Sequence, residues 1–280
     1  MWQLDCGGRV LDLGRPRVMG ILNVTPDSFS DGGEFFDPDA ALSHARAMVE
    51  AGADLIDVGG ESTRPGAAPA DLEQELGRVI PVIRILAAEL PVPISVDTSK
   101  PAVMRAAVAA GAGLINDVRA LGAPGAMEAA RDLGVPICLM HMQGEPRSMQ
   151  TAPRYGDVVT EVRRFLGDRV AACVAAGIPR GRLIVDPGFG FGKTLDHNLA
   201  LLARLAELRS IGLPILVGLS RKSMLGSITD RGVGERLSAS LAAAVIAVER
   251  GAQILRVHDV VPTVDALKVI EAVRLATERA

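Results

Sequence analysis

Residues 94–116 read ISVDTSKPAVMRAAVAAGAGLIN, and the fold turns on how that stretch is parsed. The apolar run at 94–96 is too short for a helix and ends in a carboxylate, Asp97. Pro101 opens an alanine-rich segment, about 101–110, and proline is tolerated at a first helical position. Gly111 stops the segment, and a second apolar run at 114–115 ends in an amide, Asn116. A short buried strand, a helix and another short buried strand form a βαβ unit, whose strands lie parallel in one sheet.

The alternation repeats along the chain. Further apolar runs occupy 18–22, 55–58, 137–140, 183–185, 215–219 and 254–257, making eight. At or just past their C-terminal ends stand Asn23, Asp57, His141, Asp186, Lys222, and Arg256 with His258. The helix-stop echo "AGA" at 51–53 and 110–112, and Gly251-Ala252 later, is weak repeat evidence in the same direction. Eight such units predict an α/β fold, a (β/α)8 TIM barrel, with its active site at the C-terminal mouth of the strands. Residues 2–14 read as an N-terminal β-hairpin turning at Gly7-Gly8, placed to plug the opposite end. Other helices are expected at about 39–51, 71–89, 125–133, 157–176, 197–210 and 235–250, with Pro262 opening the last. The longest connection, 143–156, follows the fifth run.

A length of 280 residues suits one barrel, and no polar linker divides it, so residues 1–280 are read as a single domain. Aromatic residues make up 3%, too few for a platform that stacks single-stranded bases. A net charge of −3 argues against phosphate-backbone binding, so no nucleic-acid partner is expected. The apolar stretch 237–248 is too short to span a bilayer, and no membrane association is expected. Cys6, Cys138 and Cys173 are odd in number and far apart, which reads as reduced thiols in a cytoplasm. No secretory signal is visible at the N-terminus.

The strand-end residues carry the chemistry. Asp97, Asn116 and Asp186 facing one pocket suit a ligand edge rich in N–H donors, such as a 2-amino-4-oxo pyrimidine. Helix capping explains any one of them alone, but desolvating several acids together needs a reason. The segments at 220–222 and 256–258 bring cations, with Arg256 and His258 on one face of an extended run and a helix N-terminus following, which makes an anion site. A salt bridge to acids at the mouth is the plainer alternative for that pair. The loop 59–66 offers glycines and the donors Thr63 and Arg64, or simply a flexible turn. Asn23 presents an amide oxygen of the kind Mg²⁺ accepts. The run 187–194 resembles a phosphate loop but has proline where GxxxxGK[ST] needs glycine. It is read as a pliant loop with Phe189 or Phe191 covering the pocket. His44 and His197 are expected at the surface, His141 stays ambiguous, and no spacing supports zinc.

Several segments together are highly specific: MGILNVTPDSFSDGG at 19–33, DVGGESTRPGA at 57–67, SVDTSK at 95–100, INDV at 115–118, DPGFGFGK at 186–193, GLSRKS at 218–223 and LRVHDV at 255–260. With them the chain resembles the bacterial dihydropteroate synthases, from about residue 18 to the last helix. The resemblance implies a homodimeric transferase of folate biosynthesis. Such an enzyme joins a dihydropterin methyl diphosphate to p-aminobenzoate and releases diphosphate. It implies a pterin held by Asp97, Asn116, Asp186 and Lys222, and a diphosphate held among Asn23, Arg256, His258 and Mg²⁺. Thr63, Arg64, Ser220, Lys222 and Phe191 are implied for the p-aminobenzoate side. A pterin-binding methyltransferase on a similar barrel is the alternative, and it has no use for a diphosphate site. A non-catalytic pterin carrier and a barrel acting on sugar phosphates are further rivals.

Overall fold

Side chains alternate along a strand, and in this chain the alternation separates a dry core from a polar mouth. The structure is a computed structural model that describes residues 2–25, 38–61, 70–145 and 148–278. Strands β1 (Gln3–Asp5) and β2 (Val10–Asp12) pair antiparallel as the expected hairpin, with Gly7 and Gly8 at positive φ in its turn. The barrel strands follow: β3 (Arg17–Asn23), β4 (Leu55–Gly59), β5 (Ile94–Asp97), β6 (Leu114–Asp117), β7 (Ile137–Met140), β8 (Leu183–Asp186), β9 (Leu216–Val217) and β10 (Ile254–Val257). All pair parallel, in the order β8-β7-β6-β5-β4-β3-β10-β9. A parallel bridge between Val185 and Ile215, with the Val185 N–H donating to Pro214 O at 3.0 Å, closes β8 onto β9. The ring is the (β/α)8 barrel expected from the eight runs.

Helices α1 (Pro38–Glu50), α2 (Leu72–Glu89), α3 (Pro101–Ala109), α4 (Ala126–Leu133), α5 (Val158–Ala175), α6 (Leu195–Ala203), α7 (Ser223–Thr229), α8 (Leu237–Glu249) and α9 (Val260–Glu278) lie outside the ring. Their apolar stripes cover the outward strand residues. In α2, Val79, Val82, Ile83 and Leu86 share one face and belong to the same core as Ile56, Val58, Ile94 and Val96. Asp71 caps α2 in a reciprocal capping box with Gln74, worth about 1 kcal/mol.

Inward residues fill the barrel in layers. Met19, Leu55, Leu114, Cys138, Ile184, Leu216 and Ile254 form an apolar floor, closed from below by Leu4, Cys6, Leu11 and Leu13 of the hairpin. The plug is tight, since a Cβ on Gly113 would sit 2.2 Å from Cys6 O. Two residues further along four of these strands, the inward positions turn polar: Asp57 after Leu55, Asn116 after Leu114, Asp186 after Ile184, Arg256 after Ile254. A period of two therefore delivers the chemistry to the upper half of the barrel.

Some expectations shift. The helix expected over 197–210 is α6, which Thr194 caps earlier, followed by a separate 3-10 stretch, Leu205–Ile211, ending at Gly212 in the left-handed region. Helix α7 was not expected, because seven residues make fewer than two turns, too few for an apolar period to be read. Helix α9 begins at Val260, leaving Pro262 inside its first turn. Phe189 does not cover the mouth: it is fully buried in the outer core. Among the described residues no helix is long and apolar enough to cross a membrane.

Candidate active site

Parallel register brings the inward polar residues of neighbouring strands side by side. Asp57 pairs in register with Ser95, Gly59 with both Asn23 and Asp97, and Asp97 with Asn116. Arg256 reaches across from β10 and binds two acids at once. Its Nε donates to Asp57 Oδ2 at 2.6 Å and its Nη2 to Asp97 Oδ2 at 2.9 Å. Asn116 Nδ2 donates to the same Asp57 Oδ2 at 3.1 Å. A Cβ on Gly59 would lie 3.7 Å from Asn23 Oδ1 and 3.8 Å from Asp97 Oδ2. The amide oxygen of Asn23 therefore faces the same side of the mouth as this network.

The other wall is built by the loop after β8. Asp186 Oδ1 accepts from the Gly188 N–H at 2.7 Å, which bends the chain back over the strand end. Lys193, almost fully buried, holds the loop from beneath. Its ammonium donates to Gly188 O at 2.9 Å and Phe191 O at 3.0 Å, and lies 3.0 Å from His141 Nδ1. The loop so held places the Phe191 ring 4.3 Å from Lys222 Nζ, a cation–π contact. Gly190, at φ +78°, leaves room for the Lys222 stem, since a Cβ there would sit 3.3 Å from its Cδ.

Lys222 and Ser220 flank a strained turn. Arg221 is a non-glycine residue at φ 58°, a conformation costing about 1–2 kcal/mol. Its surroundings hold it there. The guanidinium forks onto Asp259 at 2.5 and 3.0 Å, the N–H donates to Ser240 Oγ, and the carbonyl accepts from Arg236. Ser220 Oγ then lies 3.1 Å from His258 Nδ1 and accepts from the His258 N–H. Asp259 directly precedes α9, so His258 and Ser220 stand at that helix's N-terminal end.

Burial in this crowded mouth shifts the titrating groups. Desolvation pushes Asp97 up to about 7; Arg256 pulls it down and Asp57 pushes it further up. Desolvation also raises Asp186 to about 6, opposed by the Gly188 hydrogen bond and by Lys222. Lys222 falls to about 8, through burial and the neighbouring Arg256. Burial alone would lower Arg256, but Asp57 and Asp97 outweigh it and hold the guanidinium firmly charged. His258 falls to about 4, through burial and then Arg221 and Arg256. The expectation of two cations at 256 and 258 is thus corrected: at neutral pH His258 is an uncharged hydrogen-bonder.

Of the residues singled out in the sequence, Asp97, Asn116, Asp186, Lys222, Arg256, His258, Ser220, Phe191 and Asn23 converge on this mouth. Thr63 and Arg64 lie outside the described residues, as does most of the loop after β3. His44 is exposed, as expected, but His197 is half-buried. It caps α6 with Thr194 and meets Tyr155 edge-on at 4.9 Å. His141 resolves as structural: buried, pushed down to about 3 by desolvation and Lys193, and packed edge-on against Phe165. Two residues gained roles that sequence reading did not assign. Asp57 was visible as a strand-end acid, and Lys193 only as part of a failed phosphate-loop match.

Among the described residues no three His, Cys, Asp or Glu side chains converge on a metal position. A lone amide oxygen, Asn23 Oδ1, fits a hard cation that arrives with its own phosphate and water ligands, as Mg²⁺ does.

The pterin binding enzyme family matches residues 19–258. A dihydropteroate synthase of Escherichia coli (strain K12) is 58% identical over 276 residues, covering 99% of this chain and 98% of that one. The structure of Xanthomonas albilineans dihydropteroate synthase with 4-aminobenzoic acid superposes with a TM-score of 0.93 at 57% identity, covering 97% of this chain and 98% of that one. The Xanthomonas albilineans enzyme in complex with 7,8-dihydropteroate gives a TM-score of 0.90 at 55% identity, again over 97% and 98%.

Proposed function

Because the chain belongs to the pterin-binding enzymes and, within them, to the dihydropteroate synthases, we propose a division of its barrel mouth between two substrates. The reaction is a transfer: p-aminobenzoate displaces diphosphate from (7,8-dihydropterin-6-yl)methyl diphosphate to give 7,8-dihydropteroate, a step of folate biosynthesis. The relatives carrying 4-aminobenzoic acid and 7,8-dihydropteroate support that pair of substrates.

The observation that carries the assignment is the Arg256 guanidinium, tied to Asp57 and Asp97 on the carboxylate that also holds Asn116. Fixed positive charge and heterocycle-binding groups share one network. Asp97, Asn116 and Asp186 take the donor-rich edge of the pterin, and Lys222 donates to its acceptors. Arg256, His258 and Asn23 face the diphosphate, and Asn23 would hold a Mg²⁺ ion on that side. Ser220, Lys222 and Phe191 line the p-aminobenzoate side; Thr63 and Arg64, implied for the same substrate by the resemblance, lie outside the described residues.

Breaking the carbon–oxygen bond builds negative charge on the departing diphosphate, and Arg256 is pre-positioned to meet it. His258, neutral at rest, donates an N–H to the same oxygens. Asn23 would hold Mg²⁺, which would supply further charge neutralisation for the diphosphate. The methylene left behind is cationic on an electron-rich ring, and Asp97 and Asp186 supply the opposite charge. The aromatic amine is nucleophilic when neutral, so no paired Ser–His or Cys–His base is required. Departure ahead of attack, an SN1-like order, follows from that charge distribution.

Mixing the purified chain with both substrates and Mg²⁺ tests the reading. Diphosphate and dihydropteroate should appear in equal amounts; methyl transfer without diphosphate would overturn it. The partner is a second copy of the chain. Supporting this, Ile228, Val233, Leu237, Val261, Val269 and Val273 on the α7–α9 side are exposed apolar residues. Sedimentation at twice the monomer mass is expected, and a monomer at all concentrations would refute it. The cytoplasm is the expected compartment, which three unpaired, buried cysteines support.

A further inference from the structure

We propose that Asp57 is a positioning residue for this reaction, fixing Arg256 on the leaving-group side relative to Asn116 on the heterocycle side. The proposal rests on the division of the mouth given above and deepens it.

Asp57 occupies the middle inward position of β4 and is 0% exposed. One of its oxygens, Oδ2, accepts from both Arg256 Nε at 2.6 Å and Asn116 Nδ2 at 3.1 Å. These partners come from β10 and β6, strands that are not neighbours in the sheet. No other described residue hydrogen-bonds both. Arg256 has a second anchor on Asp97, but a guanidinium held at Nη2 alone can swing about that contact. Held at Nε as well, its plane is set. The bond to Asp57 therefore decides which way the remaining edge of Arg256 faces.

A second observation separates this acid from a mere core ion pair. Asp57 Oδ1 is buried without a hydrogen-bond partner among the described residues, and so is Ser95 Oγ, its register neighbour on β5. A carboxylate kept for stability alone would have both oxygens satisfied, because an unpaired buried oxygen is costly. Asp57 bears that cost while spending one oxygen on two substrate-facing side chains. It need not touch the reacting atoms; it acts through Arg256 and Asn116.

The test is a mutant cycle on the full-length chain with both substrates and Mg²⁺. Asp57→Ala should lower kcat by roughly 100-fold, the scale of a misplacement of about 1 Å, while the KM for p-aminobenzoate stays within about threefold. Asp57→Asn keeps a carbonyl for both donors and should recover roughly tenfold of that loss. Asp57→Ala combined with Arg256→Ala should be little worse than Arg256→Ala alone, because the first acts through the second. Equilibrium binding of free 6-hydroxymethyl-7,8-dihydropterin, which lacks the diphosphate, should weaken less than kcat falls. Fully additive losses, or a kcat within threefold of the parent for folded Asp57→Ala, would overturn the assignment. If Asp57→Ala does not fold, Asp57→Asn carries the same cycle with the same criteria. Failure of the parent to release diphosphate at all would instead strike the reading of the reaction.

Discussion

Replacing Asp97 with asparagine should stabilise the ligand-free protein at alkaline pH while removing most of its activity. The fold holds this carboxyl at about 7 instead of 3.8, first by burial, with Arg256 opposing and Asp57 adding to the rise. A carboxyl whose folded pKa is the higher one favours the fold fully below its unfolded pKa and loses that contribution as pH climbs through the folded value. A rise of about three units at about 1.4 kcal/mol each sets a ceiling of about 4 kcal/mol. Linkage puts the cost at about 2 kcal/mol near pH 5 and close to the ceiling near pH 8.5. Asparagine carries no charge at either pH, so the variant should gain about 2 kcal/mol on the parent between the two conditions. Urea unfolding of both proteins at both pH values measures this directly, provided the m-values agree. A stability difference that does not change with pH, or that moves against the variant as pH rises, would refute the electrostatic account of the mouth. The same experiment with bound pterin should shrink the effect, because ring N–H donors would add to the Arg256 contact on the carboxylate. The acid would then be one that function keeps at the expense of stability.

Other consequences are open to test. Arg256→Ala should cut kcat by about 100- to 1,000-fold through loss of charge at the leaving group, and an unchanged rate would remove the anion site from the mechanism. Asp186→Asn should weaken pterin binding by about tenfold or more while leaving p-aminobenzoate affinity alone; equal losses for both would contradict its place on the heterocycle. The His258 imidazole, held at about 4 in the free protein, should take up a proton as diphosphate and Mg²⁺ bind near neutral pH. Calorimetry in buffers of different ionisation enthalpy reads that uptake, and a buffer-independent heat would exclude it. Lys193→Met should release the loop carrying Phe191 and raise the KM for p-aminobenzoate by roughly tenfold, as Phe191→Ala should. An unaffected KM in both variants would show that the loop contact is idle.

Much of this site was legible beforehand because strands alternate. Once 94–96 and 114–115 are read as strands, Asp97 and Asn116 must stand at their mouth ends, and the same parity places Asp186 and Arg256. The hairpin plug was legible too, from Gly7-Gly8 between two apolar pairs. Helix α7 was not, since fewer than two turns leave too short a window to tell a helix from a loop. Neither was the charge of His258, which depends on burial and on Arg221 and Arg256 around it. Lys193 looked like part of a nucleotide loop that had lost a glycine. Its actual work, donating to two carbonyls of its own loop beside His141, depends on how the loop folds back on itself.

The chain's own order of residues settled the barrel, its polar end and the chemical types gathered there, because period-two and helical patterning act locally and survive without a fold. Which partner each charged group takes was decided only in three dimensions. Asp57 and Arg256 lie 199 positions apart, and nothing local tells Arg256 to choose Asp57 and Asp97 over Asp186. Ring closure brings β10 beside β3, one strand from β4, and at that range the low-dielectric interior turns a few ångströms into the difference between a paired charge and a costly one.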